Sequence, residues 1–262
     1  MSSYKDNPLS AMIFESRSHK PRIKGITMMV DWGIPPAHQA DLMSTLGPFV
    51  DLAKIAVGIG SLYSPEVLGA KLDTYRSNDI TPFIGGMFIE HAVLHGKTRE
   101  YLQAVVDSGF DCIEISDNLL EMDLDQKTQL IKMSRNDFGL RVIGEVGKKE
   151  GIEATADFAE DTARCLEAGS EYVFLEAADF FAGEVNDAAL NPVIERSGLG
   201  PLIFELPGPW IKGITQSDVH QVTRMLIERF GADANIGNVI PDYVMSLEAL
   251  RLKIGVNAGA EH

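Results

Sequence analysis

The residues able to do chemistry are mostly carboxylates, and they recur at one kind of position. Asp31, Glu114, Glu145, Glu176 and Glu205 each stand at or near the end of a short apolar run. Lys54, Gly85-Gly86 with Glu90, and Asn235 with Asn238 occupy the same place after three further runs. Acids gathered at one site raise one another's pKa or recruit cations. Two kinds of cation could answer them. Lys54, Lys148 and Lys149 are the basic residues in this pattern. A divalent metal is the other, and oxygen donors without a Cys or His cluster favour Mg²⁺ over zinc. Glu145, Glu176 and Glu205 are its candidate ligands, and there it could act as a Lewis acid on an enolate or a phosphorylated acid. A salt-bridged polar layer holding no metal accounts for the same residues.

The Lys148-Lys149 pair follows Gly144-Glu145-Val146-Gly147, a turn that aims the chain back toward these acids. A lysine so placed can move a proton, clamp an anion or form a Schiff base. Adjacent loop lysines also occur as plain surface charge. His91 and His95 stand four apart without the intervening Glu of a zinc helix, and read as polar loop residues. The sequence holds no Gly-x-Ser-x-Gly elbow, and Cys112 and Cys165 fall inside apolar segments as reduced core thiols.

For the acids to meet, the runs before them must be neighbouring strands. Strand patterns cover 25–30, 52–57, 81–84, 111–115, 141–146, 172–175, 202–205 and 234–239. Helical spacing covers 64–77, 98–107, 125–136, 155–167 and 217–229. Asp125 and Thr155 are candidate N-caps, and Gly109, Gly139, Gly169 and Gly231 candidate stops. Gly109, Gly139 and Gly169 are 30 residues apart, the length of one strand–helix unit with its turns. Eight such units fill roughly 250 residues. The chain therefore reads as an α/β protein, a single-domain (β/α)8 TIM barrel over 21–256, with a polar extension over 1–20 and a tail over 257–262. A doubly wound open sheet is the weaker reading, because no Gly-rich phosphate fingerprint is found. Barrel strand ends converge on one mouth, so the polar series becomes a ring around it. The stretches 177–191 and 207–216 read as loops over that mouth.

Composition agrees. With 45% apolar residues among 262, the chain can bury a sizeable core, which excludes disordered and collagen-like classes. No run nears ~18 apolar residues, and the first 20 lack the apolar stretch of a secretory signal, so a cytoplasmic protein is expected. Thirty-eight acidic residues against 23 basic give a net charge of −15, which repels nucleic acid and anionic membrane surfaces as partners. A small anionic substrate remains compatible through a locally basic pocket. Barrels of this class commonly self-associate, so a homo-oligomer is expected.

Several segments, in order, resemble the phosphosulfolactate synthases. They are Lys20-Pro21-Arg22, Gly25-Ile26-Thr27-Met28, Asp31-x-Gly33 and Gly85-Gly86-Met87-Phe88-Ile89-Glu90, then Glu114-Ile115-Ser116-Asp117 and Glu145-Val146-Gly147-Lys148-Lys149. Phe204-Glu205-x-Pro207, Asn235-Ile236 and Leu247-Glu248-x-Leu250-Arg251 complete the set. The resemblance implies a barrel enzyme, a carbon–sulfur lyase, that adds sulfite to phosphoenolpyruvate with Mg²⁺ in the first step of one route to coenzyme M. It implies a catalytic role for Lys149, protonating the developing carbanion or stabilising the enolate. Glu114 and Glu145 join it as candidate catalytic groups. Asp31, Trp32, Lys54, Gly85, Gly86, Lys148 and Asn235 are the candidate substrate-binding positions. The resemblance also extends to heat-stress-associated plant proteins, so a non-catalytic, stress-protective barrel is the alternative. Charged residues at every strand end weigh against it.

Four places depart from the family pattern. Asp31-Trp32-Gly33 replaces Asp-Lys-Gly, and Ala178 stands where an Arg follows the sixth-strand Glu. Residues His220 to Thr223 replace a Lys-x-Gln-Gln element, and Lys253-Ile254-Gly255-Val256-Asn257 a Gly-Leu-Arg-Gly-Asp segment. Each lost partner of a desolvated charge costs about 2–5 kcal/mol. Either Lys97, Arg99 or Lys212 compensates, or the substrate carries fewer negative groups. Trp32 suits the second reading as an apolar or stacking wall, and serves equally as a lid over the barrel end.

Overall fold

The computed structural model describes residues 7–120, 122–147, 157–181, 185–208 and 210–256. Its strands are β1 (Thr27–Asp31), β2 (Leu52–Ile55), β3 (Thr81–Ile84), β4 (Cys112–Ile115), β5 (Arg141–Val146), β6 (Tyr172–Glu176), β7 (Leu202–Glu205) and β8 (Ile236–Val239). They pair in parallel, each with the next, and β8 returns to β1 to close one barrel. Around it lie α1 (Pro36–Leu46), α2 (Pro65–Arg76), α3 (Met87–Leu94), α4 (Thr98–Asp107), α5 (Leu124–Asn136), α6 (Phe158–Ala168), α7 (Ala177–Phe180), α8 (Asp187–Ser197), α9 (Gln216–Phe230) and α10 (Pro241–Arg251). The single (β/α)8 barrel expected from the 30-residue rhythm is the architecture.

Local chemistry explains the element ends. Gly109, Gly139, Gly169 and Gly231 take left-handed φ values of +87°, +68°, +114° and +78°, as helix stops require. Asp123, two residues before the expected cap, closes a capping box with Gln126 at the start of α5. Asp157 caps α6 through the amides of Ala159 and Glu160, and Thr155 lies outside the described residues. The stretch 177–191, expected to be loop, contains α7 and the start of α8. Pro192 inside α8 hid it, since an interior proline removes a helix hydrogen bond and reads as a breaker. Leu190 and Val193, buried against the barrel, hold that helix regardless.

The pleat sorts side chains by period two. Met28, Leu52, Phe83, Cys112, Ile143, Phe174 and Ile203 fill the barrel interior. Their neighbours Met29, Ala53, Ile84, Ile113, Val142, Val173 and Leu202 pack outward under the helices. Lys54, Glu114, Glu145, Glu176 and Glu205 each lie two residues beyond an interior residue. They therefore point inward too, one layer nearer the C-terminal mouth.

At the opposite end, part of the segment read as a polar extension is tied into the fold. Arg17 is buried, and its guanidinium bonds Gly25 O, Thr27 Oγ1, Asp51 and Glu248. Beside it Arg251 donates to the carbonyls of Ala232 and Ala234, both at 2.6 Å. Two guanidiniums thus satisfy backbone and acids at the end where the strands begin.

Candidate active site

Above the interior phenylalanines the barrel is charged. The Lys54 ammonium donates to Glu114 Oε1 at 2.8 Å and Glu205 Oε1 at 2.6 Å, and lies 4.7 Å from the centroid of the Phe174 ring. All three charged groups are buried. Burial alone would lower the Lys54 pKa. The charges of Glu114, Glu205 and Glu145 outweigh it, and the net shift is upward. Lys54 therefore carries its positive charge at neutral pH.

Two of the carboxylates are oriented from behind. Glu114 Oε2 accepts the Gly86 amide at 2.7 Å, and Glu145 Oε2 accepts Asn118 Nδ2 at 2.7 Å. Gly86 has no room for a side chain, because a Cβ would sit 2.4 Å from Ser116 Oγ and 3.0 Å from the Ser116 amide. Asp117, next to Asn118 in the chain, pairs at 3.2 Å with Lys127 of α5, itself 3.2 Å from Asp161 of α6. One oxygen from each of Glu114, Glu145 and Glu205 lies within 4.8 Å of the others. Such a hard oxygen set fits a Mg²⁺-type cation. Glu176, register neighbour of Glu205 on β6, is buried but stands outside this triplet among the described residues; Glu114 takes the place expected for it.

A cavity of about 220 Å³ opens over this layer. Lys54, Glu114, Glu145 and Asn238 form its polar floor, and Gly85 and Gly86 let the backbone approach from the side. Trp32, from the β1–α1 loop, and Trp210, from the β7–α9 loop, cover it with ring centroids 5.3 Å apart and planes 44° apart. Trp32, one of the candidate substrate-binding positions, lines the cavity. Trp210 was missed, because a loop side chain carries no periodicity; the one signal was its being the second of only two tryptophans.

Two expected substrate contacts face elsewhere. Asp31 is fully buried, but the pleat turns it outward, away from the mouth. There it accepts Tyr75 Oη at 2.6 Å, pairs with Lys71 at 2.8 Å, and receives the Gly33 and Ile34 amides at 2.9 and 2.8 Å. It fastens the β1–α1 turn to α2. Asn235 precedes β8 because that strand starts two residues later than its apolar pattern suggests. It therefore sits at the strands' N-terminal end, bonding the Ile26 amide and the carbonyls of Gly200 and Leu202. Asn238 reaches the cavity instead, from a left-handed φ of +55°. Glu90 is also structural, accepting from Ser116 and the Leu120 amide. Lys97 and Arg99 pair on the surface with Glu100 and Asp137. Lys148 and Lys149 lie outside the described residues.

Two stability predictions follow from these placements. Asp31→Asn strands the buried Lys71 ammonium and is expected to cost about 3 kcal/mol in urea unfolding. Asp179 lies in the first turn of α7, and its Oδ2 has no hydrogen-bond partner among the described residues. Burial pushes its pKa from 3.8 up to about 6. The folded state therefore binds this proton more tightly than the unfolded state. Stability should fall as pH rises between those two values and level off above them. Asp179→Asn should remove that part of the slope; an unchanged slope would refute the assignment.

Fold and site define a (β/α)8 barrel with a charged interior layer open at the mouth where barrel enzymes do their chemistry. N-acetylneuraminate lyase from Fusobacterium nucleatum shares the fold, with a TM-score of 0.54 over 87% of this chain and 75% of that chain at 14% identity. Residues 15–256 match the (2R)-phospho-3-sulfolactate synthase (ComA) family, and the chain belongs to that family. It is 32% identical to the phosphosulfolactate synthase of Methanothermobacter thermautotrophicus over 247 residues, 90% of this chain and 91% of that protein. It is 24% identical to Protein HEAT-STRESS-ASSOCIATED 32 of Arabidopsis thaliana over 278 residues, 95% of this chain and 92% of that protein. Among the described residues no helix is long and apolar enough to cross a membrane.

Proposed function

We propose that this protein is a phosphosulfolactate synthase-type lyase that joins sulfite to the methylene carbon of an enol carboxylate, with phosphoenolpyruvate as the reference substrate and Mg²⁺ as cofactor. The observation that carries this reading is the Lys54–Glu114–Glu205 cluster, with Glu145 beside it, on the floor of the mouth cavity.

In the reaction, the sulfite sulfur forms a bond to C3 with its lone pair. The C2=C3 π pair moves onto C2 and spreads into the carboxylate, and a proton then arrives at C2. Whatever lowers the energy of that electron-rich intermediate sets the rate. The Lys54 ammonium is a preformed positive charge in a water-poor layer, where its field is weakly screened. Glu114, Glu145 and Glu205 would hold Mg²⁺, which supplies Lewis-acid stabilisation to the substrate's oxygens when bound. The Gly86 amide and Asn118 keep two of these carboxylates oriented, so little ordering remains to be done on binding. Trp32 and Trp210 line the cavity with their rings side by side. Lys149, by family resemblance, donates the proton to C2.

The test is product formation from phosphoenolpyruvate, sulfite and Mg²⁺, followed by ³¹P NMR and mass spectrometry. A sulfonated phosphoester requiring all three is expected. Lys149→Ala should lower turnover at least about 10³-fold, with the melting temperature within a degree or two. No sulfonate from any enol carboxylate, and no thermal stabilisation by millimolar Mg²⁺ with ligand, would instead favour a stress-protective barrel without catalysis.

A further inference from the structure

Glu90 lies in the first turn of α3, behind Gly86, and its carboxylate is fully buried although it does not line the mouth cavity. It faces the loop between β4 and α5 and takes three donors from it. Ser116 Oγ donates to Oε1, and the amides of Leu119 and Leu120 donate to Oε2 at 2.5 and 2.8 Å. Each of these bonds is charge-assisted, so the loop is held more firmly than neutral acceptors would hold it. The donors flank Asn118 on both sides, and Asn118 Nδ2 donates to Glu145 Oε2 at 2.7 Å. The same helical turn reaches the other side of the site. The Glu90 amide donates to the Gly86 carbonyl at 3.3 Å, and the Gly86 amide donates to Glu114 Oε2 at 2.7 Å. One turn of α3 thus touches Glu114 directly and Glu145 through a single loop. Loops are the mobile parts of a barrel, whereas oxygens that share a cation must keep their places to within about 0.5 Å.

We infer that Glu90 is a positioning residue: by fixing the β4–α5 loop it aims Asn118 at Glu145, and so sets where the Glu145 carboxylate stands relative to Glu114. The consequence for Mg²⁺ rests on the proposed reading of Glu114, Glu145 and Glu205 as its ligands; the aim of Asn118 does not. Glu90→Gln can keep the clamp, since its Oε1 accepts the two amides and its Nε2 donates to the Ser116 oxygen. Glu90→Ala takes the acceptor away from all three donors. Glu90→Asp is one methylene too short to hold the hydroxyl and both amides together.

The test uses the full-length protein labelled with ¹⁵N-asparagine, in which the Asn118 side-chain amide is assigned by its loss in Asn118→Ala. Without Mg²⁺, Glu90→Ala should move this signal toward that of a solvent-exposed asparagine, and Glu90→Gln should leave it in place. Mg²⁺ affinity by calorimetry, taken well below each melting temperature, should fall at least about tenfold in Glu90→Ala and stay within about threefold in Glu90→Gln. In the background of Asn118→Ala, the Glu90→Ala loss should shrink to about twofold or less, since both act along one path. Glu90→Asp, the milder change, should weaken Mg²⁺ at least about threefold and serves if the alanine variant does not fold. A Glu90 that only braces the fold would lower the melting temperature and leave the Asn118 signal and the Mg²⁺ affinity of the folded protein unchanged. That result, or losses that simply add, overturns the inference. A parent that binds no Mg²⁺ while its Asn118 signal still answers to Glu90 leaves the positioning role standing and removes the cation reading of the site instead.

Discussion

Lys54→Met should leave a protein about 4 kcal/mol less stable at pH 8, most of the stability an ordinary domain has, and without measurable turnover. The buried ammonium is the shared partner of Glu114 and Glu205, and Glu145 feels its charge. Its removal leaves three buried acids facing one another, which desolvation and mutual repulsion drive toward the protonated form. Their folded pKa values then rise above the unfolded ones. The variant must accordingly regain stability as pH falls through the upper of these values, and the gap to the parent should narrow from pH 8 to pH 5. In the parent, the raised Lys54 pKa keeps the cluster's contribution complete below the ordinary lysine value, so no such slope arises from this group at those pH values. Urea unfolding at the two pH values measures both effects. A stability loss independent of pH would show that packing around Phe174, and not charge, is what Lys54 supports.

Glu145→Gln is expected to do the reverse, sparing the fold and removing function. The Lys54 hydrogen bonds run to Glu114 and Glu205 and survive this change, and a glutamine carbonyl can still accept from Asn118. The melting temperature should stay within about two degrees or rise, since one of several clustered acids has lost its charge. Mg²⁺ affinity by calorimetry should fall at least about tenfold and turnover at least about 10²-fold, because a proposed ligand carboxylate becomes a neutral amide. Glu176→Gln, outside the oxygen triplet, should cost Mg²⁺ affinity much less. Equal losses from the two variants would move the cation site toward β6.

Several features of the site are visible in the amino-acid order. β3, β5 and β7 occupy the very residues whose apolar runs announce them, and Lys54, Glu114, Glu145 and Glu205 inherit their inward direction from period two. Asp31 shows how narrow that margin is. One step along the pleat separates cavity-lining Val30 from an aspartate buried on the outer face. Asn235 shows the same sensitivity at a strand's onset, where an apolar Ala234 imitates sheet although pairing of β8 begins at Ile236.

Local order in this chain thus arises from its residues: hydrophobic period selects strand or helix, and glycines, prolines and capping acids end the elements. These are short-range effects, set within a few neighbours along the backbone. Which acids become partners is a different matter. Glu114 and Glu205 come from strands three apart around the barrel, and they meet on one ammonium from β2. Trp32 and Trp210 meet although 178 positions separate them. Distances of that kind depend on the tilt and stagger with which eight strands close, a property of the whole cylinder and of no single segment.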